Sequence, residues 1–155
     1  MLLHMSLDTF KQNKPPGAGL KRILVIDDNR VVLTAMSIML KSKGYEVMLA
    51  DSGSETITVL REGRPDLILL DLDFAPDSSG VSGFRDGFVI IEWVRRTCNA
   101  ENLPVIIVSS LDPAQYKAKA QAAGIPICFQ KPVDKEKLLV AIQTILGVKS
   151  GPQAA

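Results

Sequence analysis

Five short apolar runs, in "RILVIDD", "YEVMLA", "DLILLD", "PVIIVSS" and "PICFQ", are each followed by a stretch of helical periodicity. A strand with one wet face alternates apolar and polar residues, whereas these runs are continuously apolar, as in strands buried on both sides. Such strands, separated by helices, make a parallel sheet covered by helices on both faces. The expected helices are the segment from Asn29, stopped by Gly44, then "SETITVLREG", "GFVIIEWVRR", "PAQYKAKAQAAG" and "DKEKLLVAIQTIL". In the first, Val32, Ala35, Met36, Met39 and Leu40 follow the i, i+3, i+4, i+7, i+8 rule, and in the third Val89, Ile90, Trp93 and Val94 share one side. At 155 residues the chain fits one domain around one core.

That domain is expected over residues 21–147. Residues 1–20 end in "KQNKPPGAG", which discourages regular structure and reads as a flexible N-terminal extension, and 148–155 read as a C-terminal tail. No output domain is expected beyond the last helix.

Composition removes several kinds of chemistry. The formal charge of +1, from 18 basic and 17 acidic residues, offers no electrostatic reason for a nucleic-acid or anionic-membrane partner. Cys98 and Cys128 lack CxxC spacing, so neither a zinc site nor a disulfide framework is expected, and a reducing cytoplasm is the default location. No apolar run approaches the roughly 18 residues needed to span a bilayer, and "MLLHMSL" is too short for a signal-peptide core. The only histidine, His4, lies in the N-terminal extension, which argues against Ser-His-Asp, Cys-His and His-rich metal sites.

Ligands of open parallel sheets sit at the carboxyl ends of the strands. Here the first strand ends in Asp27-Asp28, the third in Asp71, the fourth in Ser109 and the fifth in Lys131-Pro132. Taken singly, Asp27 or Asp28 reads as a cap for the next helix, Ser109 as a turn residue and Lys131 as solvated surface. Together they read otherwise. If the first and third strands are neighbours, three carboxylates meet, and each like-charge pair costs about 4 kcal/mol at about 4 Å and an effective dielectric near 20. Lys131 alone does not offset that, so a divalent cation bound by oxygen ligands, such as Mg²⁺, is expected.

With "DG" at Asp86-Gly87, these features resemble the receiver domain of two-component response regulators over roughly residues 21–147. The resemblance implies a flavodoxin-like, doubly wound sheet of strand order 2-1-3-4-5. It implies that Asp71 accepts a phosphoryl group from phosphohistidine on a sensor histidine kinase or a histidine phosphotransfer protein. Asp28 and Asp71 would bind Mg²⁺ directly, the backbone carbonyl of Asp73 would be a further ligand, and Asp27 would act through water. Lys131 and Ser109 would contact the transferred group, with Pro132 after a cis peptide. The implied role is signalling rather than enzymatic, with an unidentified protein target met through the fourth helix, fifth strand and fifth helix. A homodimer is among the assemblies left open.

Two features depart from the family's pattern. Pro76 follows Asp71 by five residues and Gly87 by sixteen, so the loop over residues 72–86 is expanded. Its "APDSSGVSG" has the composition of a surface insertion; either it has no role beyond tolerated length, or it covers the site or touches a partner. In the fifth strand the position three before Lys131, usually aromatic and mobile in the family, is Cys128, with Phe129 expected in the core. Two rival functions are a receiver-fold adaptor that works without phosphorylation and a haloacid-dehalogenase-type phosphatase, suggested by "LILLDLDF". Against the phosphatase, Asp27-Asp28 precedes the acceptor, whereas that family's other acidic pair follows the lysine.

Overall fold

The computed structural model describes residues 19–72, 87–97 and 100–147; most of the N-terminal extension, the C-terminal tail and residues 73–86 of the expanded loop lie outside the described residues. Elements run in the order β1 (Arg22–Ile26), α1 (Arg30–Ser42), β2 (Glu46–Ala50), α2 (Gly53–Gly63), β3 (Leu67–Leu70), α3 (Gly87–Thr97) and β4 (Val105–Ser109). A 3₁₀ turn (Pro113–Gln115), α4 (Lys117–Ala122), β5 (Cys128–Gln130) and α5 (Lys135–Leu146) complete them. The strands form one sheet of order β2-β1-β3-β4-β5, with every neighbouring pair parallel. This is the expected doubly wound architecture.

Successive strand side chains point to opposite faces, and the two faces bury separate clusters. Ile23, Val25, Leu67, Leu69, Ile106 and Val108 pack with Leu33 and Leu40 of α1 and Leu138 and Ile142 of α5. Leu24, Ile26, Ile68, Leu70, Val105 and Ile107 pack on the other face with Leu60, Ile90, Ile91, Val94, Tyr116 and Ala120, from α2 to α4. The sheet is therefore covered on both sides, which is why its strands carry no alternation. Each fully buried aliphatic side chain contributes about 1.5–3 kcal/mol.

The register sets the site. Ile26 pairs with Ala50 on one side and Leu70 on the other, and Leu70 pairs with Ile107. β1 and β3 thus stop level with each other, and the next residues, Asp27 and Asp71, emerge side by side. Their backbones remain tied to the sheet, Asp71 N–H donating to the Ile26 carbonyl at 3.0 Å and Asp27 N–H to the Ala50 carbonyl at 3.1 Å.

Three local expectations need correction. In α1 the buried residues are Leu33, Ser37 and Leu40; Val32, Met36 and Met39 lie at the margin and Ala35 is exposed. In α3, Val89 is 38% exposed and Ile91 takes its place in the core. Sequence periodicity finds that a helix has an apolar face, but the angle at which the helix meets the sheet selects which residues lie on the contact line. The single helix expected over Pro113–Gly124 is divided at Tyr116. Asp112 caps the first turn, accepting from Ala114 N–H at 3.0 Å, and the buried Tyr116 leaves helical geometry at φ −128° before α4 begins. Gly44, as expected, ends α1, with a φ of +89° that suits glycine.

Candidate functional site

The carboxyl edge of the sheet gathers the acids singled out from the sequence. Ligand oxygens of Asp27, Asp28 and Asp71 lie within 4.8 Å of one another. Asp27 and Asp71 are only 3% and 4% exposed, whereas Asp28 faces solvent. Lys131 Nζ donates to Asp27 Oδ2 at 2.7 Å and to Asp71 Oδ2 at 3.1 Å. Burial by itself would lower the Lys131 pKa, but the hydrogen bond to Asp27 and the charges of Asp71 and Asp27 outweigh it and hold the ammonium above the ordinary lysine value.

Each group reaches the site through its own element. Lys131 follows β5 by one residue, and its N–H donates to the Ser109 carbonyl at 2.8 Å, so β4 and β5 deliver the ammonium together. The Lys131–Pro132 peptide is cis. Ser109, the last residue of β4, is fully buried, and its Oγ accepts from Leu111 N–H at 3.2 Å. Asp73, whose carbonyl was expected to complete the metal site, lies outside the described residues. Cys128 and Phe129 are half-buried on opposite faces, Cys128 against the α2–α4 cluster and Phe129 against the α1–α5 cluster. Burial pushes the Cys128 thiol pKa up.

The cap for α1 is neither aspartate but Asn29, whose Oδ1 accepts from Val31 N–H at 2.9 Å and Val32 N–H at 3.3 Å. Asp27 Oδ1 in turn accepts from Asn29 N–H at 2.9 Å. Sequence reasoning missed Asn29 as a site residue, although an Asn before an apolar helical run was the available signal. It missed Gly87 as a packing residue too: a Cβ there would lie 3.1 Å from Leu72 Cδ2, 3.2 Å from Leu70 Cδ2 and 3.4 Å from the Asp71 carbonyl. Glycine lets α3 close onto the end of β3 beside Asp71.

Three carboxylates against one ammonium leave an excess of negative charge in a partly buried site. An all-oxygen donor set of this kind suits a hard divalent ion, which accepts one or two carboxylates and keeps several waters.

The pattern of the response regulator receiver domain matches residues 23–143. The chain belongs to that family. It is 29% identical to the protein PilH of Pseudomonas aeruginosa over 125 residues, covering 81% of this chain and 97% of PilH. It is 32% identical over 123 residues to the CAI-1 autoinducer sensor kinase/phosphatase CqsS of Vibrio cholerae, covering 77% of this chain but only 16% of CqsS. A CheY-like receiver domain from Methanospirillum hungatei shares the fold, with a TM-score of 0.70 and 24% identity over 83% of this chain and 94% of that one.

Family membership makes this receiver a signalling domain rather than an enzyme for a separate substrate, and it implies partnership with a histidine kinase. It also disposes of the dehalogenase-type phosphatase, since Asp27 and Asp28 join Asp71 from the strand beside it. The receiver's acidic cluster is consistent with a phosphoacceptor site and with the Mg²⁺ site typical of the family. No helix among the described residues is long and apolar enough to cross a membrane.

Proposed function

We propose that Asp71 accepts a phosphoryl group from phosphohistidine on a sensor histidine kinase or a histidine phosphotransfer protein, and that the phosphorylated receiver exchanges protein partners in the cytoplasm. The observation that carries this reading is the meeting of Asp27, Asp28 and Asp71 within 4.8 Å, with Lys131 bonded to two of them. In the transfer, an Asp71 carboxylate oxygen attacks phosphorus as the phosphorus–nitrogen bond breaks. The imidazole leaves with the bonding pair and takes up a proton.

Such a transfer depends on positioning and charge neutralisation more than on covalent help. Asp28 and Asp71 would hold Mg²⁺ directly, with the Asp73 carbonyl as a further ligand and Asp27 contributing through water. When bound, the ion neutralises charge on the phosphoryl oxygens. Lys131 supplies the second positive charge, from a position already 3.1 Å from Asp71. Ser109, whose Oγ accepts from Leu111 N–H, donates its hydroxyl to a phosphoryl oxygen, drawing the β4 loop inward. Cys128, lacking an aromatic ring, reports little of that movement.

Two faces are offered to partners. Val31 and Ile38, 77% and 67% exposed and two turns apart on α1, give the phosphodonor an apolar stripe next to the acids. The output target would meet α4, β5 and α5.

Intact mass after incubation with acetyl phosphate and Mg²⁺ tests the acceptor. The parent gains one phosphoryl group, which Asp71→Asn does not. An unmodified parent would favour the adaptor that works without phosphorylation, and equal labelling of Asp71→Asn would move the acceptor elsewhere.

A further inference from the structure

We propose that Asn29 is a positioning residue that holds Asp28 ready for Mg²⁺, an inference that rests on the metal-dependent reading above. Of the three clustered acids, Asp28 alone makes no side-chain hydrogen bond or ion pair with any described residue, and it is the exposed one. Its neighbours are both anchored. Asp27 is held by its N–H on the Ala50 carbonyl, by Lys131 on Oδ2 and by Asn29 N–H on Oδ1. Asn29 is held by Val31 and Val32 on its Oδ1 and by Leu33 N–H, 3.0 Å from its carbonyl. The Asp28 backbone is therefore strung between two fixed points while its carboxylate has no partner of its own.

An exposed ligand with free rotamers loses conformational entropy when it binds, and a fixed backbone leaves less to lose. Asn29 supplies that fixation in two directions at once. Its N–H closes a turn on Asp27, and its side chain starts α1. Replacing the amide with a methyl removes both Oδ1 bonds, frays the first turn and loosens the chain that presents Asp28. A serine at the same position restores a capping acceptor.

Calorimetric titration with Mg²⁺, on metal-free protein that is fully folded, separates positioning from simple stability. The comparison uses the parent, Asn29→Ala, Asn29→Ser and Ser52→Ala. Ser52 caps α2, accepting from Glu55 N–H at 3.1 Å, so its loss is a matched cap lesion at another helix. Both alanine variants should lower the metal-free Tm. Asn29→Ala should weaken Mg²⁺ binding about tenfold, as loss of an outer-shell partner does; Asn29→Ser should bind within about twofold of the parent, and Ser52→Ala should bind as the parent does. Parent-like affinity in Asn29→Ala, or an equal loss in Ser52→Ala, overturns the inference alone. A parent that takes up no Mg²⁺ overturns it together with the metal reading.

Discussion

A charged cluster lies at each edge of the sheet, around Arg22 at one and Lys131 at the other, and the two are balanced differently. At the amino edge, Arg22 Nε donates to Glu46 Oε2 at 3.0 Å, its Nη1 to the Gly63 carbonyl at 2.9 Å, and its backbone N–H to Asp66 Oδ2 at 2.8 Å. Asp66 N–H answers on the Arg22 carbonyl at 2.8 Å. β1, β2, the end of α2 and the approach to β3 are knotted there, Arg22 meeting Glu46 through its guanidinium and Asp66 through its backbone N–H. At the carboxyl edge one ammonium faces three acids, two of them buried. A satisfied polar network stabilises, whereas surplus buried charge of one sign costs stability unless a ligand removes it. The difference teaches that the amino edge is tied by contacts within the protein, whereas the carboxyl edge keeps an excess of acid typical of the receiver's divalent-cation site.

Removing the carboxyl-edge cation should break the contrast most. Lys131→Met leaves Asp27 and Asp71 without their ammonium, so phosphorylation from acetyl phosphate should slow at least about 100-fold. Metal-free stability should fall by about 2–3 kcal/mol, reduced from a fully buried case because the lysine side chain is 23% exposed. Added Mg²⁺ should recover much of that loss in denaturant unfolding. The same contact can be read by pH. The Lys131 pKa is raised on folding, so its contribution is complete below the usual lysine value of 10.5 and disappears as pH climbs through the higher folded value. Parent and Lys131→Met stabilities should therefore converge only above pH 10.5, and convergence below it would contradict the raised pKa.

Asp28→Asn sharpens the comparison from the other direction. It removes one repelling charge that has no partner among the described residues, so metal-free Tm should rise by a few degrees while Mg²⁺ affinity drops about tenfold or more. A fall in Tm would mean that Asp28 is structural, like the acids of the amino edge. Arg22→Met should have the smallest effect on chemistry. Unfolding should show a loss of about 1–2 kcal/mol from its broken hydrogen bonds, with the phosphorylation rate within about twofold of the parent. A large rate loss in Arg22→Met would erase the distinction between the edges.

Much of this arrangement could be read before any coordinates. The aliphatic runs ending in Asp27, Asp71 and Ser109 marked strands whose carboxyl ends carry chemistry, and Lys131-Pro132 marked the fifth. Asn29 was harder to see, because the bend after β1 is what lets its N–H meet Asp27 while its side chain caps α1. The buried faces of α1 and α3 were displaced for a similar reason. Leu33 and Ile91 are as apolar as the residues chosen in their place, and only the docking angle on the sheet separates them. Tyr116 splits an otherwise helical segment because its side chain is buried in the α2–α4 cluster.

The amino-acid order by itself determined that strands and helices would alternate, that the strands would be buried on both faces, and which polar groups would follow them. Those properties are local, written in periodicity and in the residue that ends each run. Only the tertiary structure decided that β1 lies against β3 in a register that sets Ile26 opposite Leu70. Hydrogen bonds between strands distant in the chain make that choice, and they alone bring Asp27 and Asp28 to Asp71 and turn three separate strand endings into one charged site.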